Sequence, residues 1–258
     1  MQIKSSSSNS ETLPRSSSVW LNPWVWICGT CFFLHLWTYK LGALNTSIAN
    51  MMILFSTNPL WTALGSRLWL KQKLTAWHFA SYALALFGLV FLFRNSWSSG
   101  SWNRGDFYSL ITAFFYSAYV QTSYQARKNV ANLNFAMGIY FIGCFGFFVL
   151  CYLHADSLSS IKSSTVLAVL GLVLFPTLCG HFNFTYLVRH LNLNWMSSGK
   201  LVEPVLSSLM AAWLFKEGWD HSKSIAFAFT AASVLVLIWS PRNVQKNEVS
   251  SSGCYKQT

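Results

Sequence analysis

Stretches of roughly 20 mostly apolar residues are long enough to cross the hydrocarbon core of a bilayer as a helix, and they recur through this chain with only short polar gaps between them. About eight can be counted, near 20–41, 46–68, 76–93, 106–126, 134–153, 165–188, 195–215 and 223–240. In hydrocarbon every backbone N–H and C=O must be satisfied within the protein, so such a chain has few folds open to it besides a bundle of helices. Only 10% of the 258 residues are charged, against about 25% for an ordinary soluble domain, which leaves too little polar surface for a soluble protein of this size. The expected fold is an all-α membrane protein, a polytopic bundle of about eight transmembrane helices with an integral, multi-pass location.

The net charge of +11 would point to nucleic acid in a soluble protein. Here the basic residues lie between apolar runs, which points to lipid headgroups and to topology, and no nucleic-acid partner is expected. Eleven Lys and Arg fall in the gaps that share a side with both tails, and six fall in the alternate gaps. Positive residues collect on the cytoplasmic side, so both termini are expected there. In a bacterium the membrane would be the inner one. Residues 1–18 and 241–258 read as polar, Ser-rich, disordered tails, the first without the apolar region of a signal peptide.

The fourth run carries Ser109, Thr112, Ser117, Gln121 and Thr122, a pattern that suits a helix facing other helices or a polar cavity. The gap at 94–105, "RNSWSSGSWNRG", reads as an interfacial linker that divides three helices (19–93) from five (106–240).

An internal repeat is visible. Shifting the segment that begins at Ser56 by 145 places Pro59 on Pro204, Leu64 on Leu209, Lys71 on Lys216 and Gln72 on Glu217. A shift of 146 just upstream places His35 on His181. The second and seventh spans would then run in opposite directions through the membrane, the inverted repeat of secondary transporters, whose sites lie near the midplane between halves.

Lys200 and Glu203 stand inside the seventh run, three residues apart on one helical face. Each charge costs about 2.5–3.5 kcal/mol at the centre of a membrane helix, so they are expected to pair and to face the bundle interior. Pro204 and Pro59 lack an N–H, so as helix kinks they would release the carbonyls of Lys200 and Phe55. A substrate-contacting site is the favoured reading and a structural ion pair the competing one. His35 and His181 are candidates through their repeat positions; Asn58, Asn183, Trp195 and Tyr119 are weaker ones.

Other chemistry is not indicated. Cys28 and Cys31 have CxxC spacing but neither a second pair nor a nearby histidine pair, so packing is expected. Glu217, Asp220, His221 and Lys223 read as a solvated turn; no metal site and no cofactor is expected. "GKL" at 199–201 lacks the earlier Gly and the Ser/Thr of a phosphate loop. No nucleophile–base arrangement suggests an enzyme.

The segment "YLVRHLNLNWMSSGKLVEPVLSSLMAAWLFKEGWD" resembles the signature of EamA-type members of the drug/metabolite transporter superfamily, and "RGDFYSLITAFFYSAYVQTSYQARK" resembles the opening helix of that family's second half. The family's halves have five helices each; this chain offers three plus five, as though the first two were missing. The resemblance implies a secondary transporter of a small organic metabolite, an amino-acid-like or S-adenosylmethionine-like zwitterion, working by alternating access. Lys200 would meet a carboxylate, and Glu203 an amine or a proton, with proton or ion coupling and a homodimer both compatible. The alternative reading is a truncated, non-transporting membrane protein serving as an interaction partner or a nonfunctional fragment.

Overall fold

The computed structural model describes residues 19–71, 74–98, 103–153, 163–191, 193, 196, 200, 202–214, 216 and 221–239. Every regular element among them is helical. A 3₁₀ turn, Val19–Leu21, leads into α1 (Pro23–Asn45), followed by α2 (Ile48–Phe55), α3 (Asn58–Leu68), α4 (Ala76–Ser98), α5 (Arg104–Ala126) and α6 (Asn132–Leu153). Next comes one long rod made of α7 (Ser163–Leu172), a π-helical stretch Val173–Phe182, and α8 (Asn183–Leu187). The last two helices are α9 (Val202–Leu214) and α10 (His221–Ile238).

Helix falls on each of the eight apolar runs, but the second run is two helices and not one. The regular helix gives way to a turn at Ser56–Thr57, and α3 restarts with Pro59 as its second residue. Pro204 is likewise the third residue of α9. Both prolines therefore open a helix, where the missing N–H costs nothing, and do not kink a continuous one as expected from sequence. Asn132–Leu153 and Thr165–Leu187 are long and apolar enough to cross a membrane by length and composition alone. At the linker, α4 runs on to Ser98, so the first residues of the expected 94–105 loop are helical; no Gly or Pro interrupts them.

Local chemistry explains where the helices start. The Asn22 side chain caps α1 by accepting from the Trp24 N–H at 3.0 Å, with Pro23 at the first helical position. Asn103 and Asp106 make a reciprocal capping box at the start of α5. The same Asp106 accepts from the Thr46 hydroxyl at 2.7 Å, which ties the end of α1 to the start of α5. Gly105 permits the approach: a Cβ there would lie 2.4 Å from the Asn45 carbonyl carbon.

With its start joined to the end of α1 in this way, α5 is the central element. It packs along α1 and against α2 and α3, while α1 also lies on α6, α2 meets α9, and α4 lies along α10. The polar residues Ser109, Thr112, Ser117, Gln121 and Thr122 of α5 are all buried, as their pattern suggested. The hydroxyls of Ser109, Thr112, Ser117 and Thr122 hydrogen-bond within the bundle. Thr112 donates to Thr38 at 2.8 Å, Thr62 to Ser117 at 3.1 Å, and Ser117 to the Asn58 carbonyl at 2.7 Å.

At the other end of α5, the buried Arg127 guanidinium donates to the Thr185 carbonyl at 3.1 Å and to the Val130 carbonyl. Burial and the neighbouring Arg189 push it down to about 10, which leaves it charged at neutral pH. Asn132 reinforces the tie, donating to the Phe182 carbonyl at 3.2 Å and accepting from the Thr185 hydroxyl at 2.9 Å. These bonds fix α8 on the α5–α6 turn.

Candidate functional site

Tyr116 and Tyr119 stand three residues apart on α5, so both project to the same side of the helix, and both are fully enclosed. Tyr116 is bounded by His35 of α1 at 5.0 Å between ring centroids, Phe55 of α2 at 5.4 Å and Phe184 of α8 at 6.2 Å. Tyr119 is bounded by Phe32 of α1 at 5.3 Å and His181 at 6.2 Å, and it lies 5.8 Å from Tyr116. The result is a continuous aromatic lining drawn from α1, α2, α5 and the rod that ends in α8.

Lys200 enters this lining from just before α9. Its Nζ lies 4.1 Å from the Tyr116 centroid and 5.2 Å from that of Phe184, both within cation–π range. It also lies 3.5 Å from Glu203 Oε2, so the expected i, i+3 pair is present. The Lys200 side chain points inward at 24% exposure, whereas Glu203 is half exposed at 45%. His35 and His181 are both within electrostatic reach of Lys200, as is Tyr39.

The histidines differ in their bonding. The His35 ring Nδ1 is 3.3 Å from the Thr112 carbonyl, which can only accept, so Nδ1 carries a proton and donates it there. His181 Nδ1 has no hydrogen-bond partner among the described residues, and the same holds for the Tyr116, Tyr119 and Tyr140 hydroxyls and Asn58 Oδ1. Buried polar atoms left unpaired are costly unless something else meets them, and one of these, the Tyr116 hydroxyl, belongs to the ring that Lys200 lies against.

The released carbonyls expected from sequence are not free. Asn58 Nδ2 donates to the Phe55 carbonyl at 3.2 Å, and the Glu203 N–H donates to the Lys200 carbonyl at 3.0 Å. The chain satisfies each break locally because an open carbonyl in a dry bundle is costly.

Of the candidates, the fold gathers Lys200, Glu203, His35, His181 and Tyr119; Asn58 is buried and bonds to the Phe55 carbonyl and Ser117. Asn183 is exposed and spends its amide on the Cys179 carbonyl at 2.9 Å, away from the lining. Trp195 lies outside the described residues, as do Glu217 and Asp220. Sequence reasoning missed Tyr116, Phe184 and Phe55. A signal for Tyr116 was present in its spacing from Tyr119 along a helix already read as facing the interior. Nothing in the sequence marked Phe184 or Phe55 among 21 phenylalanines.

A bundle of apolar helices with an inward-pointing lysine paired to a glutamate beside enclosed, unpaired polar groups and helix breaks is the build of a polytopic membrane transporter. The sequence model of the EamA-like transporter family matches residues 103–239, more than half of the chain, and the chain belongs to that family. It is thus an integral membrane protein of the drug/metabolite transporter superfamily, whose members move small molecules across a membrane and are not enzymes. A crystal structure described only as that of a protein has the same fold, with a TM-score of 0.67 at 20% identity over 90% of this chain and 82% of its own. No curated protein matches the chain.

Proposed function

We propose that the protein is a secondary transporter of a small zwitterionic metabolite, amino-acid-like or S-adenosylmethionine-like, working by alternating access. The observation that carries this reading is Lys200. Its ammonium lies between Glu203 and the Tyr116 ring, with His35 and His181 in electrostatic reach. A zwitterion offers the complementary pair, a carboxylate for Lys200 and an amine for Glu203, and the unpaired tyrosine hydroxyls and His181 Nδ1 can complete its hydrogen bonds. A proton or ion gradient would supply the drive, with Glu203 or a histidine as carrier.

Two inverted repeats and eight spans with cytoplasmic termini underlie this reading, and three observations support them. His35 and His181, related by the shift in sequence, flank the same tyrosine pair. Pro59 and Pro204 both stand at helix starts, on α3 and α9. Lys71 and Lys216, again related by the shift, both have φ of 51° where their helices end, the only non-glycine residues with positive φ among those described.

The second reading, a membrane protein that binds a partner, is favoured by the rod Thr165–Leu187, none of whose most apolar window is buried. Uptake of labelled amino acids and sulfonium metabolites into liposomes holding the purified protein separates the two. Saturable counterflow is expected; its absence across a broad panel, in folded protein, rejects transport.

A further inference from the structure

We propose that Tyr116, Phe184 and Glu203 form a seat for an organic cation, and that Lys200 is its resident occupant, an internal competitor that the cationic group of the cargo displaces. The proposal rests on the transporter reading above and narrows its cargo to molecules bearing an alkylammonium or chemically similar cation.

The Tyr116 and Phe184 rings are inclined at 45° with centroids 6.2 Å apart, and the Lys200 ammonium sits in reach of both. The face of an aromatic ring is electronegative; it attracts cations and repels anions. An anionic group seeking Lys200 from the side of these rings would meet repelling surface. A cation arriving there would find two ring faces and the Glu203 carboxylate already arranged. The seat is also preformed, because the rings of His35 and Phe55 pack against Tyr116 and hold it in place.

Lys200 fills the seat without fitting it closely. Its 3.5 Å separation from Glu203 exceeds the roughly 2.7–2.9 Å of a committed charge-assisted hydrogen bond. A primary ammonium is strongly hydrated and gives up much of that hydration against aromatic rings. An alkylated ammonium surrenders less. Once displaced, the flexible lysine stem is free to carry its charge to a carboxylate on the same cargo. The Lys200–Glu203 bridge thus stands in for the ligand when the site is empty, so that no charge is left unpaired within the bundle.

The test is binding of tetramethylammonium to the purified full-length protein in a choline-free detergent, followed by isothermal titration. If Lys200 holds the seat about nine-tenths of the time, Lys200→Met tightens binding about tenfold. Lys200→Arg retains an internal cation and shows no gain over the wild type. Adding Tyr116→Leu or Glu203→Gln to Lys200→Met removes the gain. Tetramethylammonium should also speed acylation of Lys200 in the wild-type protein, read by mass spectrometry, which needs no variant to fold. No gain in Lys200→Met, or no change in Lys200 reactivity, overturns the proposal. Repeating the titration in phosphatidylglycerol and phosphatidylcholine vesicles identifies the source of the cation: a gain abolished only by phosphatidylcholine assigns the seat to a lipid headgroup and overturns the cargo assignment. Zwitterion uptake by the wild type without any gain in Lys200→Met refutes the seat and spares the transporter reading; a gain without uptake of any metabolite does the reverse.

Discussion

The Lys200 ammonium rests 4.1 Å from the centroid of the Tyr116 ring, and the Tyr116 hydroxyl beside it has no hydrogen-bond partner among the described residues. One side chain therefore offers two separable features, a face that holds a cation and a hydroxyl left open. Tyr116→Phe keeps the ring and removes the unpaired group, so the folded state should lose less than about 1 kcal/mol, because no internal bond is broken. If the hydroxyl meets cargo, transport falls while thermal stability holds. Equal transport by Tyr116→Phe would remove the hydroxyl from the site.

Glu203→Gln should abolish or severely reduce transport while the protein remains inserted. The residue is half exposed at the edge of the bundle and is not packed into its core. Combining Glu203→Gln with Lys200→Met restores neutrality. Recovery of abundance without transport is the expected result, from membrane immunoblots and liposome uptake. Recovery of transport would make the pair structural.

Thr46→Val or Asp106→Asn should destabilise the bundle by about 1–3 kcal/mol, the cost of losing a hydrogen bond to a charged group at a buried helix start. The Thr46–Asp106 bond and the Asn103 cap share one carboxylate, so Asp106→Asn should be the worse of the two. Thermal melting in detergent measures both.

Lys71→Gly and Lys216→Gly should each be neutral or stabilising by up to about 1 kcal/mol, since both residues occupy the left-handed region, where a Cβ is penalised. Substitution by Val at either site should destabilise. Opposite responses at the two lysines would argue against repeat-related helix ends.

Reporter fusions at Thr258 and within residues 98–101 should report opposite sides of the membrane, with Thr258 cytoplasmic. The asymmetry of eleven to six basic residues sets this expectation. A shared side would refute the eight-span arrangement.

The helical bundle and its inward-facing α5 were legible in the sequence because burial in lipid leaves a coarse, one-dimensional record. Runs of about 20 apolar residues must be helices, and polar residues such as Ser109, Thr112 and Ser117 within a run must turn away from hydrocarbon. Lys200 and Glu203 were legible for the same reason, since an intramembrane charge is too costly to be incidental. The matched shifts of His35 to His181 and of Lys71 to Lys216 could also be read by alignment alone.

Tertiary structure alone decided what surrounds those charges. Phe55, Tyr116 and Phe184 come from three helices; only Tyr116 carries a local signal, its spacing from Tyr119, and no local pattern separates Phe55 or Phe184 from the other aromatics, because cation–π contact depends on where a ring's face points in space. The fate of the broken helices was hidden too. Proline removes a bond donor whatever the context, but whether Asn58 reaches the Phe55 carbonyl, or Glu203 that of Lys200, depends on how the chain turns there. Composition and spacing determined that charges would be buried in a helical membrane protein; the packing of α5 against α1, α2 and α8 determined that one of them would lie against aromatic rings.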